Sequence, residues 1–337
     1  MMLTARVVLK ALRTRFIDQR PFILSHLITA RCNADCVTCL WKRPADAATE
    51  ELDTSEIQAL YRDAAATGFR FLVLWGGEPL LRTDTGDVLR TARDAGLKTT
   101  LITNGWWLAR RADEVLPWAD RLMVSVDGIG ERHDEVRRMP GLFERLEEGI
   151  ARARRDYPAV SVVVNTVLSR LNLDQIEEIA EFGLRHGTRV SFQAMDETDY
   201  GYGTRKPGLG SVQLDGDQAA EAASRIADLR RRRYPVTDSN AYLARIGPDA
   251  AAWRCHFKKV CLRVEPNGDV LDCTRDAVPL SNARRCPLQQ FTRSDAFTEF
   301  LARAERCNRC RDYAVVEISH LWEGKVEALW NAVRTLS

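Results

Sequence analysis

The chain has 337 residues, 45% hydrophobic and 28% charged, enough for one large α/β domain and a smaller appendage. Its 49 Lys and Arg nearly balance 47 Asp and Glu, so its charge gives no reason to expect nucleic acid as a partner. No apolar run reaches bilayer length and no secretion signal opens the chain, so a cytoplasmic location is expected.

Residues 1–20 set Leu3, Val7, Val8, Leu12 and Phe16 against Arg6, Lys10, Arg13 and Arg15, the pattern of an amphipathic basic helix. Packing across the end of a sheet accounts for it, and membrane-surface contact is the rival reading. From residue 21 to about 195, β-rich runs alternate with helical patterns. The strands are expected at 22–29, 69–75, 98–103, 121–126, 160–167 and 188–194, which makes six βα units. Periodicity alone permits either a doubly wound open sheet or a curved, incomplete barrel. The Gly-, Asp- and Thr-rich stretch 196–216 reads as a loop leading to a basic helix that ends in the arginine run 230–233. This places the main domain over 21–233 and a second over 234–337. Within the second, Pro266-Asn267-Gly268-Asp269 between two short β-type runs marks a hairpin.

Nine cysteines fall in two groups, three at 32, 36 and 39 and six between 255 and 310. An odd number of thiols in a reducing compartment argues for metal rather than disulfides. Cys32-x-x-x-Cys36-x-x-Cys39 follows the first strand, at the sheet edge where α/β folds gather their ligand sites. Three thiolates can hold three irons of a [4Fe–4S] cluster and leave the fourth iron open to a ligand, whereas an electron-transfer cluster uses four cysteines. A structural zinc wants four protein ligands, and no histidine falls within this loop.

The stretch Arg31-Cys32-Asn33-Ala34-Asp35-Cys36-Val37-Thr38-Cys39 resembles the cluster loop of the radical S-adenosylmethionine (SAM) superfamily. It carries Thr38 where that family usually has an aromatic residue, and Trp41 is offered as a substitute ring. Trp75-Gly76-Gly77-Glu78-Pro79-Leu80 resembles the family's Gly-Gly-Glu motif. Glycines let backbone carbonyls approach the amino group of SAM, and Glu78 adds an acceptor. Thr103-Asn104-Gly105 and Ser125-Val126-Asp127-Gly128 close the third and fourth strands and resemble the family too. The resemblance implies that Asn104, Ser125 and Asp127 lie beside SAM and that Arg137 or Arg138, of which we select Arg138, pairs with its carboxylate. Asn165 and Gln193 are polar residues in apolar runs, and such groups need partners when buried. The implied fold is a partial (β/α)6 barrel.

Cys255, Gly268, Cys273 and Cys307-Asn308-Arg309-Cys310 resemble a twitch domain, the shorter relative of the SPASM domain. The resemblance implies a small cysteine-rich α+β domain with one auxiliary [4Fe–4S] cluster on Cys255, Cys273, Cys307 and Cys310. Cys261 is the alternative to Cys255 as a ligand. Cys261 and Cys286 otherwise read as small buried residues, or one of them as a hydrogen-atom donor to a substrate radical. A zinc ribbon is the competing explanation of this region.

The activity implied is reductive cleavage of SAM to a 5′-deoxyadenosyl radical that abstracts hydrogen from a small-molecule substrate, such as a sugar, nucleoside or other biosynthetic intermediate. The auxiliary cluster aids electron transfer, and a reductase, flavodoxin or ferredoxin supplies the electron. The expected chain has no room for a separate leader-binding domain, which favours the small molecule. Peptide or protein modification is the alternative within the family. A non-catalytic iron–sulfur or zinc-binding protein is the alternative outside it, and such a protein would not bind SAM.

Overall fold

The computed structural model describes residues 20–39, 50–195, 209–246, 253–271, 273, 279–304, 307 and 310–328. The expected N-terminal helix, Trp41 and most of the 196–216 loop lie outside these residues.

Six parallel strands form in the expected places: β1 (Ile23–Leu27), β2 (Phe71–Trp75), β3 (Lys98–Thr103), β4 (Arg121–Ser125), β5 (Ser161–Leu168) and β6 (Arg189–Ala194). Between them run α1 (Thr54–Thr67), α2 (Thr85–Asp94), α3 (Leu108–Val115), α4 (Glu131–Arg137), α5 (Leu142–Asp156) and α6 (Ile176–Arg185). Local chemistry sets the helix ends. At α1, Asp53 accepts from Glu56 N at 2.8 Å while its own N–H donates to the Glu56 carboxylate at 2.9 Å, a capping box; Gly68 closes the helix at φ 116°.

The strands lie side by side in chain order, β6-β5-β4-β3-β2-β1, and the sheet continues through β7 (Cys261–Val264), β8 (Asp269–Leu271) and β9 (Pro279–Asn282). A doubly wound sheet would reverse direction at a central strand. The first six do not, and this single sense of winding is that of a barrel left open between β6 and β1. Along β2 and β4 burial alternates strictly. Leu72, Leu74, Leu122 and Val124 are sealed in the main core, while Phe71, Val73, Trp75, Met123 and Ser125 on the opposite face are only half-buried. His26 of β1 accepts from or donates to Tyr61 of α1 at 2.8 Å, so the sealed face is the one under the helices and the half-buried face is the interior.

Open strand edges invite foreign pairing, and both are covered by the C-terminal region. On one side β7 pairs parallel with β1, and the β7–β8 hairpin turns at Gly268 with φ 88°. On the other, Val190 of β6 exchanges hydrogen bonds with Pro235 and Thr237, both at 2.9 Å. Further along β6, Phe192 N donates to the Asp238 carboxylate at 3.1 Å and Ala194 N to the Tyr242 hydroxyl at 2.8 Å. Tyr242 lies on α8 (Asn240–Ile246), which follows α7 (Gly216–Arg231) and packs on it and on α9 (Tyr313–Trp322). Asp312, just before α9, accepts from Gln193 of β6 at 3.0 Å.

Asp238 is fully buried, and burial, aided by nearby Glu317 and opposed by the Phe192 N–H and Arg230, holds its pKa well above the usual carboxylate range. A raised folded pKa means that its contribution is fully present below the unfolded value of about 3.9 and is lost as pH rises through the folded one. Asp238→Asn keeps an acceptor for Phe192 N and removes the titration. Thermal melts across pH should show the wild type losing stability relative to the variant as pH rises, by up to about 1.4 kcal/mol per pH unit. Parallel curves for the two proteins would refute the assignment.

Candidate active site

The first cysteine group leaves β1 as its ladder with β2 ends, with Ile28 N donating to Trp75 O at 2.8 Å. Cys36 is buried, Cys39 half-buried and Cys32 exposed. Although Cys32 is exposed as a residue, protein crowded about its sulfur pushes that thiol up to about 11, opposed by the Ala34 N–H and reinforced by Glu78, Cys36 and Cys39, so the three thiols lie within one another's electrostatic reach. Among the described residues no three His, Cys, Asp or Glu converge as ligands of a single metal ion do. A cube with one thiolate per iron sets its ligands wider than one ion does.

Gly76 and Gly77 are held against this loop backbone to backbone. Gly77 N donates to Thr29 O and Glu78 N to Arg31 O, both at 2.8 Å. A Cβ on Gly76 would sit 2.5 Å from Thr29 O, and one on Gly77 would overlap the Arg31 carbonyl outright. The glycines are therefore required for docking the loop, independently of any amino group they approach. Glu78, expected to add an acceptor for SAM, is also held by the protein itself. Its carboxylate is buried and takes Leu80 N at 2.9 Å, Thr103 Oγ1 at 2.7 Å and Asn104 N at 2.7 Å. Burial raises its pKa, and these donors pull it back. Asn104 in turn donates to Asn33 Oδ1 at 2.8 Å, so β3 is tied into the cysteine loop. Glu51 braces the other side, accepting from Thr29 Oγ1 at 2.5 Å and Ala30 N at 3.2 Å while pairing with Arg31 and Arg82 at 3.3 Å.

Asp127 is fully buried after β4, with Oδ1 accepting Val167 N at 2.8 Å and its own N–H donating to His133 Nδ1 at 3.0 Å. Its Oδ2 lies 2.7 Å from Arg137 Nη2, an ion pair not aligned as a hydrogen bond. Arg137 Nη1 reaches Cys36 Sγ at 3.7 Å. Arg138 is more than half exposed, sits beyond α4 at φ 50° and pairs with Asp35 at 3.2 Å. The structure thus brings Arg137, not the selected Arg138, against the thiols, and Asp127 meets the site through Arg137. Ser125 is half-buried and in register with Asn165 of β5, which accepts from Ser191 of β6 at 2.9 Å. Glu51, His133, Thr103 and Asn33 are not singled out by the motifs; Asn33 and Thr103 lie inside them and His133 lies one helical turn before Arg137, whereas Glu51 carries no signal of its own.

In the second group Cys255 N donates to Cys307 O at 2.8 Å. The Cys255 thiol is pushed far up by Cys307 first, then by burial and by Cys310. These three cysteines therefore share one place. Cys261 is buried in β7 beside Ser25 of β1, and burial alone raises its thiol. Between the two alternatives it is Cys255 that joins Cys307 and Cys310. Cys273 follows β8 and is half-buried, as is Cys286, whose Sγ faces Pro287 O at 3.7 Å. Because β7 runs parallel to β1, Cys261 opens β7 at the sheet edge opposite to the one that carries Cys32, and antiparallel β8 runs back toward that same edge before Cys273.

Gly77→Ala should destabilise the fold by about 1–3 kcal/mol through overpacking against Arg31 and loosen the cysteine loop. Urea unfolding together with iron retention reads both effects; unchanged stability would contradict the tight docking.

Residues 27–183 match the profile described as the Radical SAM superfamily. An AdoMet-dependent heme synthase of Methanosarcina barkeri is 38% identical over 171 residues, half of this chain and 48% of that protein. The chain thus spans about half the length of that relative. A PqqA peptide cyclase of Rhizobium meliloti is 27% identical over 309 residues, 86% of this chain and 79% of that one. Among solved structures, Streptococcus suis SuiB bound to precursor peptide SuiA superposes with a TM-score of 0.67 at 18% identity, covering 86% of this chain and 69% of SuiB, which shows a shared fold. Residues 27–183 therefore form a domain of the Radical SAM superfamily, whose members use a [4Fe–4S] cluster and SAM, and a cysteine-rich C-terminal region follows it.

Proposed function

We propose that the chain cleaves SAM reductively at a cluster held by Cys32, Cys36 and Cys39, and that Cys255, Cys273, Cys307 and Cys310 hold an auxiliary [4Fe–4S] cluster. The observation that carries this is the three-thiol loop locked to Gly76-Gly77-Glu78 on one side and to Arg137 on the other. The donor set fits the groups: soft thiols for iron, and backbone and guanidinium donors for an amino-acid moiety. When bound, cluster and SAM supply one-electron cleavage and a carbon radical for hydrogen abstraction, the electron coming from a reductase, flavodoxin or ferredoxin.

The chain's own part is positioning and exclusion of water. Arg137 offers its buried Nε, which has no hydrogen-bond partner, to a carboxylate. Ser125, Asn165 and Ser191 present a polar row to the interior. Our reading takes the substrate as a small molecule. It is supported by the covered edges of β1 and β6, which leave neither strand free to pair with a peptide. The second reading, a peptide substrate, is favoured by the 79% coverage of the PqqA peptide cyclase. Among the described residues no helix is long and apolar enough to cross a membrane, and a cytoplasmic location is part of the proposal.

Anaerobic reconstitution, reduction and addition of SAM should yield 5′-deoxyadenosine with about eight irons per chain. Alanine at Cys32, Cys36 or Cys39 should abolish the product. Alanine at Cys255 or Cys307 should lower iron to about four and spare SAM cleavage. Bound zinc without SAM cleavage in the folded protein would overturn the reading.

A further inference from the structure

Arg137 is placed with more care than a carboxylate ligand alone requires. It ends α4, one turn beyond His133, and both side chains turn inward against Asp127. Asp127 is itself fixed by Val167 N, by His133 and by Asn172, whose Nδ2 donates to the Asp127 carbonyl at 3.1 Å. The guanidinium is thus held on one side by a buried, triply braced residue. Its opposite nitrogen, Nη1, then lies 3.7 Å from Cys36 Sγ, within hydrogen-bond reach of sulfur. Burying a guanidinium is costly, and the ion pair with Asp127 offsets that cost. The remaining contact is with a thiol that the proposed function assigns to iron.

An N–H donated to a cluster thiolate withdraws electron density from sulfur and favours the reduced cluster, which carries one more negative charge. A fixed cation at that distance acts in the same direction. We propose that Arg137, held by Asp127, raises the reduction potential of the cluster on Cys36 and so eases entry of the electron from the external reductant. This inference rests on the iron assignment above and concerns the SAM-free cluster, so it is separate from any contact with the SAM carboxylate.

The test is a redox titration of the reconstituted, SAM-free protein followed by electron paramagnetic resonance. The signal that SAM perturbs identifies the cluster with the open iron. Arg137→Gln should move its midpoint to more negative potential, and Arg137→Lys, which keeps the charge and loses the planar fork, should fall between. The auxiliary signal serves as the internal control and should not move. Equal midpoints with iron content intact would overturn the proposal, whereas absence of any SAM-sensitive signal in the wild type would overturn the iron assignment instead. Should Arg137→Gln fail to assemble, wild-type protein labelled with 15N-arginine decides. A weak nitrogen coupling to the reduced cluster that persists in Arg138→Lys and vanishes in Arg137→Lys supports the contact. No such coupling in the wild type refutes it.

Discussion

Two backbones, Thr29–Arg31 and Gly76–Glu78, are docked directly on each other, and the position of the first cysteine group depends on that contact. Two hydrogen bonds of 2.8 Å join them, and side chains at either glycine would force them apart. Cys32 follows Arg31 directly, so any change in that separation moves a thiol. A contact with no side chain between its members has no soft degree of freedom, unlike one made by long residues. Rigid placement is what a site with several ligands on one short loop needs.

The buried charges around that contact follow from it. Glu78 continues the Gly-Gly run into the interior, where its carboxylate is buried and takes three protein donors. Those donors come from the start of the next turn and from the end of β3, so a desolvated anion fastens two βα loops together. Asp127 does the same for β4 and β5, with Arg137 as its counter-ion. In both cases a carboxylate on the cysteine side of the sheet also fastens its protein neighbours together, and a backbone and a guanidinium stand beside the thiols.

The strands were legible because a half-buried strand alternates and a surface helix repeats every 3.6 residues, and neither signal needs distant partners. The turn at Gly268 was legible because few sequences accept positive φ. Choosing between Arg137 and Arg138 required helix phase. Residues 133 and 137 share a face one turn apart, while 138 falls past the end of the helix. Choosing between Cys255 and Cys261 needed the pairing of β7 with β1, and the sealing of β6 by Asp238 and Tyr242 needed partners more than 40 residues away. No local pattern carries such information, since a buried aspartate and a surface one look alike in a sequence.

The region after residue 233 touches the barrel at both of its open edges, and this links the two cysteine groups mechanically. On one side β7 is hydrogen-bonded to β1, the strand that delivers Cys32. On the other, Asp312 follows Cys310 by two residues and accepts from Gln193 at the carboxyl end of β6. Opening the barrel at either edge would therefore displace Cys255 or Cys310 relative to the first loop. A partial barrel by itself leaves two strands unpaired and its interior reachable from the side. With the C-terminal segments seated, the polar row Ser125–Asn165–Ser191 lies on the interior face of β4, β5 and β6, with β7 covering the outer edge of β1 and residues 235–242 that of β6. The same segments that carry the second group of thiols thus also shape the space in which a substrate would meet the first.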